Sequence, residues 1–387
     1  MNLKIAKRLE QIRPFYVMEL LARARQLEAE GRSIIHMEVG EPDFPTPHPV
    51  VEAGRQALSD GRTHYTPAMG IMELREAIAG FYKRRFDCDI DARQVVVTPG
   101  SSGALQLIMG ALINPGEEVL MADPGYPCNR HFVYLAGGKP VTVPVGADTR
   151  YQLTADLIEE AWTADTKAVM LATPSNPTGT LIDRSSLEEI HRLVSARGGV
   201  LIVDEIYQGL VYGAEEFTAA SLGDDIFIIN SFSKYFGMTG WRLGWMIAPP
   251  EMVPAVDKLA QNIFLSPPTP SQYAALSAFS DETLEILEGR REEFRARRDF
   301  LLPALRDLGF SIPTEPQGAF YLYANSSALT PDSYDFAMRL LEEEGVAITP
   351  GKDFGSNAPE HHIRFAYTTG VSSLQEGVKR IARFLGR

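Results

Sequence analysis

The sequence predicts an α/β fold in two parts. Strand-like runs alternate with helical patterns along most of the chain, those runs are apolar throughout rather than at every second residue, and no internal repeat interrupts them. Continuous apolar runs belong to strands covered on both faces, as in a sheet flanked by helices. At 387 residues the chain is long enough for two domains and a large core.

Taken in order, the segment up to about Gly31 reads as helical, with apolar residues at Leu9, Ile12, Leu20, Leu21 and Leu27. EVGEPDFPTPHP then gathers five prolines and glycines in a short span, which marks an irregular connection. Strand-like runs follow at Gln94–Thr98, Glu118–Ala122, Ala168–Thr173, Gly199–Glu205, Ile226–Asn230 and Gly244–Ala248. A highly charged helical pattern from Asp281 to Arg298 is long enough to join two domains. Mixed helix and strand return after it, and the chain closes on the amphipathic VSSLQEGVKRIARFLGR. We expect a large domain over 45–285 and a smaller one built from 1–44 and 286–387.

Hydrophobic residues make up 45% and charged residues 22%, the balance of a soluble globular protein. The 37 basic residues against 50 acidic leave a net charge of −13, which argues against a nucleic-acid partner. Two cysteines, Cys88 and Cys128, are too few for a disulfide framework or a zinc site and suit a reducing compartment. No apolar run has the length of a membrane helix, and the first residues lack the apolar core of a signal peptide. The expectation is a cytoplasmic enzyme with no membrane partner.

Four places carry chemistry. In VVVTPGSSGAL a buried strand and a Pro-Gly turn lead into Ser101, Ser102 and Gly103 at the start of a helix, where free N–H groups and the helix dipole favour an anion. A serine capping an ordinary helix fits the same residues. In LATPSNPTGT, Asn176 follows a strand and lies between prolines, at the edge where open α/β sheets take ligands; a plain turn also accounts for it. In GVLIVDEIYQGLVY, Asp204 ends a central apolar strand and Tyr207 follows. A carboxylate there is costly unless a cation or hydrogen-bond donors meet it, although it could cap the next helix. In INSFSKYFGMTGWRLGW, Lys234 follows another buried strand. A desolvated lysine has a lowered pKa and forms a Schiff base with an aldehyde, while Ser231 and Arg242 could clamp a phosphate; on spacing alone Lys234 could equally be a surface lysine.

The four together describe one chemistry. An aldehyde needs a lysine, its phosphate needs an anion cradle, and its ring nitrogen needs a carboxylate. That set is the signature of pyridoxal 5′-phosphate, PLP. With SNPTG, the D-E-x-Y at Asp204–Tyr207, S-F-S-K and the following G-W-R-x-G, the chain resembles the class I/II aminotransferases of PLP fold type I, the aspartate aminotransferase superfamily, from the GEPDF segment at Gly40 to the last helix.

The resemblance implies a mostly parallel seven-stranded sheet in the large domain and a homodimer with shared active sites. It implies that Lys234 bears the cofactor, Asp204 pairs with the ring nitrogen, and Tyr207 and Asn176 hold the phenolic oxygen. The phosphate falls to Ser101, Ser102, Gly103, Ser231, Ser233 and Arg242, with Tyr65 reaching it from the neighbouring subunit. Tyr126 stacks on the ring, Arg364 and Gly40 receive the substrate α-carboxylate, and the Asn176–Pro177 bond is cis. The implied reaction passes an amino group between an L-amino acid and a 2-oxo acid by ping-pong kinetics.

Phe15 and Tyr16 stand where some dicarboxylate-preferring relatives carry smaller residues. They point to neutral, aliphatic or aromatic donors rather than aspartate, with 2-oxoglutarate or pyruvate as acceptor; an exposed charge is the plainer reading of Arg13 than a second carboxylate partner. Two other readings stay open here. One is a lyase of the same fold, such as a C–S lyase or an aminocyclopropane-carboxylate synthase. The other is a non-catalytic ligand-binding protein on this scaffold. A nicotinamide dehydrogenase would need a glycine fingerprint that the sequence lacks.

Overall fold

The computed structural model describes residues 4–387. In chain order its strands are β1 (Ile35–His36), β2 (Val95–Thr98), β3 (Glu118–Asp123), β4 (Lys139–Pro144), β5 (Thr166–Ala172) and β6 (Val200–Asp204). They continue with β7 (Phe227–Ser231), β8 (Gly244–Ile247), β9 (Tyr321–Asn325), β10 (Val346–Ala347), β11 (Thr349–Pro350) and β12 (His362–Ala366). Seven of them make one sheet in the order β2-β8-β7-β6-β5-β3-β4, and only β8 runs against its neighbours.

This is the mostly parallel seven-stranded sheet that the resemblance implies, and the α/β class read from the sequence holds. All six strand-like runs are strands to within two residues at either end. Their alternate residues feed two separate cores. Val95, Val97, Leu120 and Val169 face one side, whereas Val96, Val119, Ala168 and Met170 face the other. Helices cover both faces, so no polar alternation marks these strands.

Two sequence readings are corrected. The seventh strand, β4, was not foreseen: KPVTVP carries two prolines, and β4 is an edge strand paired only to β3, where proline costs no ladder bond. The N-terminal segment is not one helix. A 3-10 turn at Lys7–Gln11 and an α-helix at Tyr16–Ala29 are separated by residues around Pro14, which lacks an N–H and disfavours helical backbone at Arg13.

The register sets up the site. Asp204 at the end of β6 pairs with Ala172 of β5 and Ile229 of β7, so the chain leaves all three strands at one edge. Because β8 is reversed, its first residue, Gly244, pairs with both Thr98, the last residue of β2, and Ser231, the last of β7. Outside this sheet, β9, β12 and β11 form an antiparallel sheet, and β1 pairs with β10. The charged helix runs from Asp281 to Asp307, capped by the Ser280 hydroxyl, which accepts from Thr283 N. No helix of the described residues is long and apolar enough to cross a membrane.

Candidate active site

The β2 turn builds an anion cradle. Gly100 takes φ +70°, Thr98 Oγ1 donates to its carbonyl at 2.7 Å, and the helix Gly100–Leu112 starts there with its first N–H groups free. A Cβ on Gly100 would lie 2.6 Å from Arg242 Nη2, and one on Gly244 would lie 2.8 Å from both Gly100 C and Ser101 N. Glycine at both positions therefore lets the Arg242 guanidinium and the helix amino end share one concavity. Arg242 is exposed and held by Nη1 donating to Thr239 O at 3.0 Å. Ser231 Oγ lies 2.9 Å from Ser233 Oγ and accepts from Ser233 N, while Ser101 and Ser102 lie at the helix start. Hydroxyls, free N–H groups and a guanidinium with no acid between them fit a phosphate.

Asp204 and Lys234 emerge from the next strands. Asp204 is 6% exposed and its one hydrogen bond comes from Ile206 N at 3.1 Å. Burial pushes its carboxyl up to about 6, against the pull of that bond and of the Lys234 charge. A buried carboxylate so poorly solvated fits a protonated ring nitrogen. Lys234 Nζ donates to Gly40 O at 2.6 Å and stands 5.9 Å from the Phe320 ring centroid. Burial lowers its amine to about 8; Glu41 opposes that fall, while Arg364 and Arg242 add to it.

Arg364 comes from β12, whose register places it beside Tyr323 and Thr349. It is buried, and its partners are neutral oxygens. Nη1 donates to Asn176 Oδ1 at 2.9 Å, and Nη2 donates to Glu38 O at 2.5 Å and Thr349 Oγ1 at 3.2 Å. Its Nε is buried with no partner. The guanidinium also lies 4.4 Å from the Tyr321 ring and 4.9 Å from that of Phe354. A buried cation with a spare donor is a receptor for a carboxylate. The neighbouring loop is fixed by buried Asp123, which accepts from Ser356 N and Oγ at 2.9 and 2.8 Å.

The structure thus brings together Ser101, Gly103, Ser231, Ser233 and Arg242 in one cluster. It gathers Gly40, Asn176, Asp204, Tyr207, Lys234 and Arg364 in another. Asn176–Pro177 is cis, as are Asp123–Pro124 and Thr173–Pro174. Tyr126 is 39% exposed and stacks on Phe15 at 6.4 Å between centroids. Tyr16 is drawn elsewhere: its N–H donates to Asp353 Oδ1 at 2.7 Å and its ring packs edge-on to Tyr334. Tyr65 is 81% exposed and reaches none of these groups within one chain.

Sequence reasoning missed Tyr321. Its hydroxyl lies 2.8 Å from that of Tyr207, and a Cβ on Gly40 would run into it. It missed Glu205 as well, a buried acid that accepts from Thr218 Oγ1 and Ala219 N and is pushed up to about 8 by burial. The Asp204-Glu205 doublet at the end of an apolar run was the signal for Glu205; Tyr321 carried none, because its strand meets the site only in the folded chain.

Known proteins place this geometry in a family. Residues 32–381 match the model of aminotransferase class I and II. The (5-formylfuran-3-yl)methyl phosphate transaminase of Methanocaldococcus jannaschii is 40% identical over 386 residues, 99% of this chain and 100% of that protein. The valine–pyruvate aminotransferase of Mycobacterium tuberculosis is 38% identical over 374 residues, 96% of each chain. The crystal structure of an aminotransferase from Mycobacterium tuberculosis superposes with a TM-score of 0.96 at 37% identity, covering 100% of both chains. The chain belongs to the class I and II aminotransferases and is a transaminase that depends on pyridoxal 5′-phosphate.

Proposed function

We propose that this transaminase takes the amino group of a neutral L-amino acid, aliphatic or aromatic rather than aspartate, and passes it to a 2-oxo acid such as 2-oxoglutarate or pyruvate. It acts in the cytoplasm as a homodimer whose two sites are shared, with a large domain over 45–285 and a small one from 1–44 and 286–387. The observation that carries the reading is that half-buried Lys234 and buried Arg364 both hydrogen-bond to the strap of residues 38–40. A proton-accepting amine and a carboxylate receptor thereby meet one short segment two residues apart.

PLP would be held by Lys234, with Asp204 at its ring nitrogen and Tyr207 and Asn176 at its phenolic oxygen. Tyr126 would cover one face, and Ser101, Ser102, Gly103, Ser231, Ser233 and Arg242 would take its phosphate, joined by Tyr65 of the partner subunit. When bound, PLP supplies an aldehyde for the donor nitrogen and a protonated ring that accepts the charge left at Cα. Arg364 and Gly40 orient the α-carboxylate, and Lys234, freed as an amine, removes the α-proton and returns it on the far side of the transfer. Phe15 against Tyr126 gives the side-chain pocket an aromatic wall, and Tyr16 buttresses the same helix start; an apolar donor suits that wall.

The test is the absorption spectrum of the PLP-loaded protein with single L-amino acids and no oxo acid. Conversion of the visible band to a near-ultraviolet one, fastest with neutral donors, supports the reading. Faster conversion with aspartate than with alanine or phenylalanine overturns the donor class. Release of pyruvate and ammonia with the band unchanged overturns amino transfer.

A further inference from the structure

Beside Lys234 lies an ionic cluster that the reading above does not use. Tyr235 is 4% exposed, and its hydroxyl donates to Glu288 Oε1 at 2.6 Å. Arg85 Nη1 donates to both that hydroxyl, at 3.2 Å, and Glu288 Oε1, at 2.9 Å, while its guanidinium lies 4.9 Å from the Tyr235 ring. The other edge of Arg85 pairs with Glu216 Oε2 at 2.9 Å, and Glu216 Oε1 accepts from Gly209 N at 2.6 Å. Gly209 has φ +91°, and a Cβ there would run into the Tyr235 ring. Arg291 closes the far side, 3.0 Å from Glu288 Oε2.

The cluster joins three separate elements at one point: the helix Met72–Phe86 through Arg85, the charged helix through Glu288, and the turn that carries Tyr207 through Gly209. Phe232 and Phe236 of the lysine turn pack on Trp245, with ring centroids 4.8 Å and 6.1 Å from it, and Phe236 also meets the Tyr235 ring at 5.0 Å. From this anchored turn Lys234 Nζ reaches the strap, donating to Gly40 O at 2.6 Å. Arg85 and Arg291 balance Glu216 and Glu288, so the half-buried cluster carries little net charge and can fix geometry without imposing a field on the amine.

We propose that Tyr235, Glu288 and Arg85 are positioning residues for Lys234. Through the Tyr235 hydroxyl they hold the lysine turn at the distance from the Tyr207 turn at which the amine meets the cofactor aldehyde. There the neutral amine adds to the aldehyde carbon, and one water leaves as the C=N bond forms. The inference rests on Lys234 being the cofactor-bearing lysine.

Pyridoxamine phosphate gives the contrast, since it has the ring and phosphate but no aldehyde for lysine to attack. Tyr235→Phe, which keeps the ring against Gly209, and Glu288→Gln are compared with the parent as cofactor-free proteins. PLP capture is followed by growth of the visible band, and pyridoxamine phosphate affinity by quenching of tryptophan fluorescence. The expected result is roughly tenfold slower PLP capture in each variant, pyridoxamine phosphate affinity within about twofold of the parent, and a double variant no slower than the singles. With substrate, kcat falls while KM stays. Unchanged capture overturns the proposal, as does equal weakening of both cofactors, which marks a merely structural cluster. If Tyr235→Phe does not fold, Glu288→Gln, at a half-buried position, decides alone. A parent protein that captures no PLP breaks the assignment of Lys234 instead, and a wrong donor class affects neither measurement.

Discussion

Arg364 Nη1 donates to Asn176 Oδ1 at 2.9 Å across 188 positions of sequence. Asn176 lies in the loop after β5 of the seven-stranded sheet, and Arg364 lies on β12 of the small antiparallel sheet. The bond makes the group assigned to the substrate carboxylate and the group assigned to the cofactor's phenolic oxygen parts of one rigid unit.

Replacing Arg364 by lysine removes that bond and the planar fork while keeping the charge. We expect kcat/KM to fall about ten- to a hundredfold for every amino donor, the worth of a charge-assisted pair. The visible band of bound PLP should still form, because Lys234 is untouched. Steady-state kinetics beside the absorption spectrum check both, and an unaffected kcat/KM would remove Arg364 from substrate binding.

Asp204 sets function against stability. Its carboxyl is raised from 3.8 to about 6 in the cofactor-free fold, so the protonated form is the one that folding favours. Its contribution to stability is full below the unfolded value and is lost as pH rises through about 6. Cofactor-free Asp204→Asn should therefore be more stable than the parent at pH 8, by about 3 kcal/mol at 1.36 kcal/mol per step in pKa, with the gain vanishing near pH 3. The same variant with PLP should lose several orders of magnitude in kcat, since the charge that stabilises the reacting state is gone. Denaturant melts at the two pH values and single-turnover rates measure the two effects separately.

Lys234 predicts a pH dependence of cofactor capture. Only the neutral amine attacks an aldehyde, and burial lowers this amine to about 8 from the usual 10.5. Capture of PLP by the cofactor-free protein should rise with pH and level off above about 8. The charges acting on the amine are Glu41, Arg364, Arg242 and Asp204, and Glu41 raises its pKa. Glu41→Gln should move the midpoint to lower pH; a midpoint that stays, or moves up, contradicts the assigned environment.

Gly100→Ala tests the phosphate cradle. The new methyl would stand 2.6 Å from Arg242 Nη2 on backbone at φ +70°, so both the guanidinium and the turn must shift. PLP affinity should fall at least tenfold, on the order of one lost charge-assisted contact. Affinity for pyridoxal, which lacks the phosphate, should barely change. Equilibrium dialysis of the two compounds gives the comparison.

The sequence by itself determined the strands, since apolar runs such as VVVT and VLIVD can be stable only between two layers of helices. It also determined the residue types at their ends, because a lysine, an aspartate and a serine-glycine turn after buried strands are costly unless they serve something. It could not show β4, whose prolines are tolerated only because the strand lies at the edge. Nor could it show that reversed β8 brings Gly244 between Thr98 and Ser231, and so gathers three distant segments into one anion cradle. Tyr321 and the Tyr235–Glu288–Arg85 cluster were beyond it for the same reason. Their partners lie 114 and 53 to 203 positions away, and only the packed sheets and the long charged helix fix which distant groups meet. Local sequence chooses what each strand end offers; the register and order of the strands choose which offers face one another.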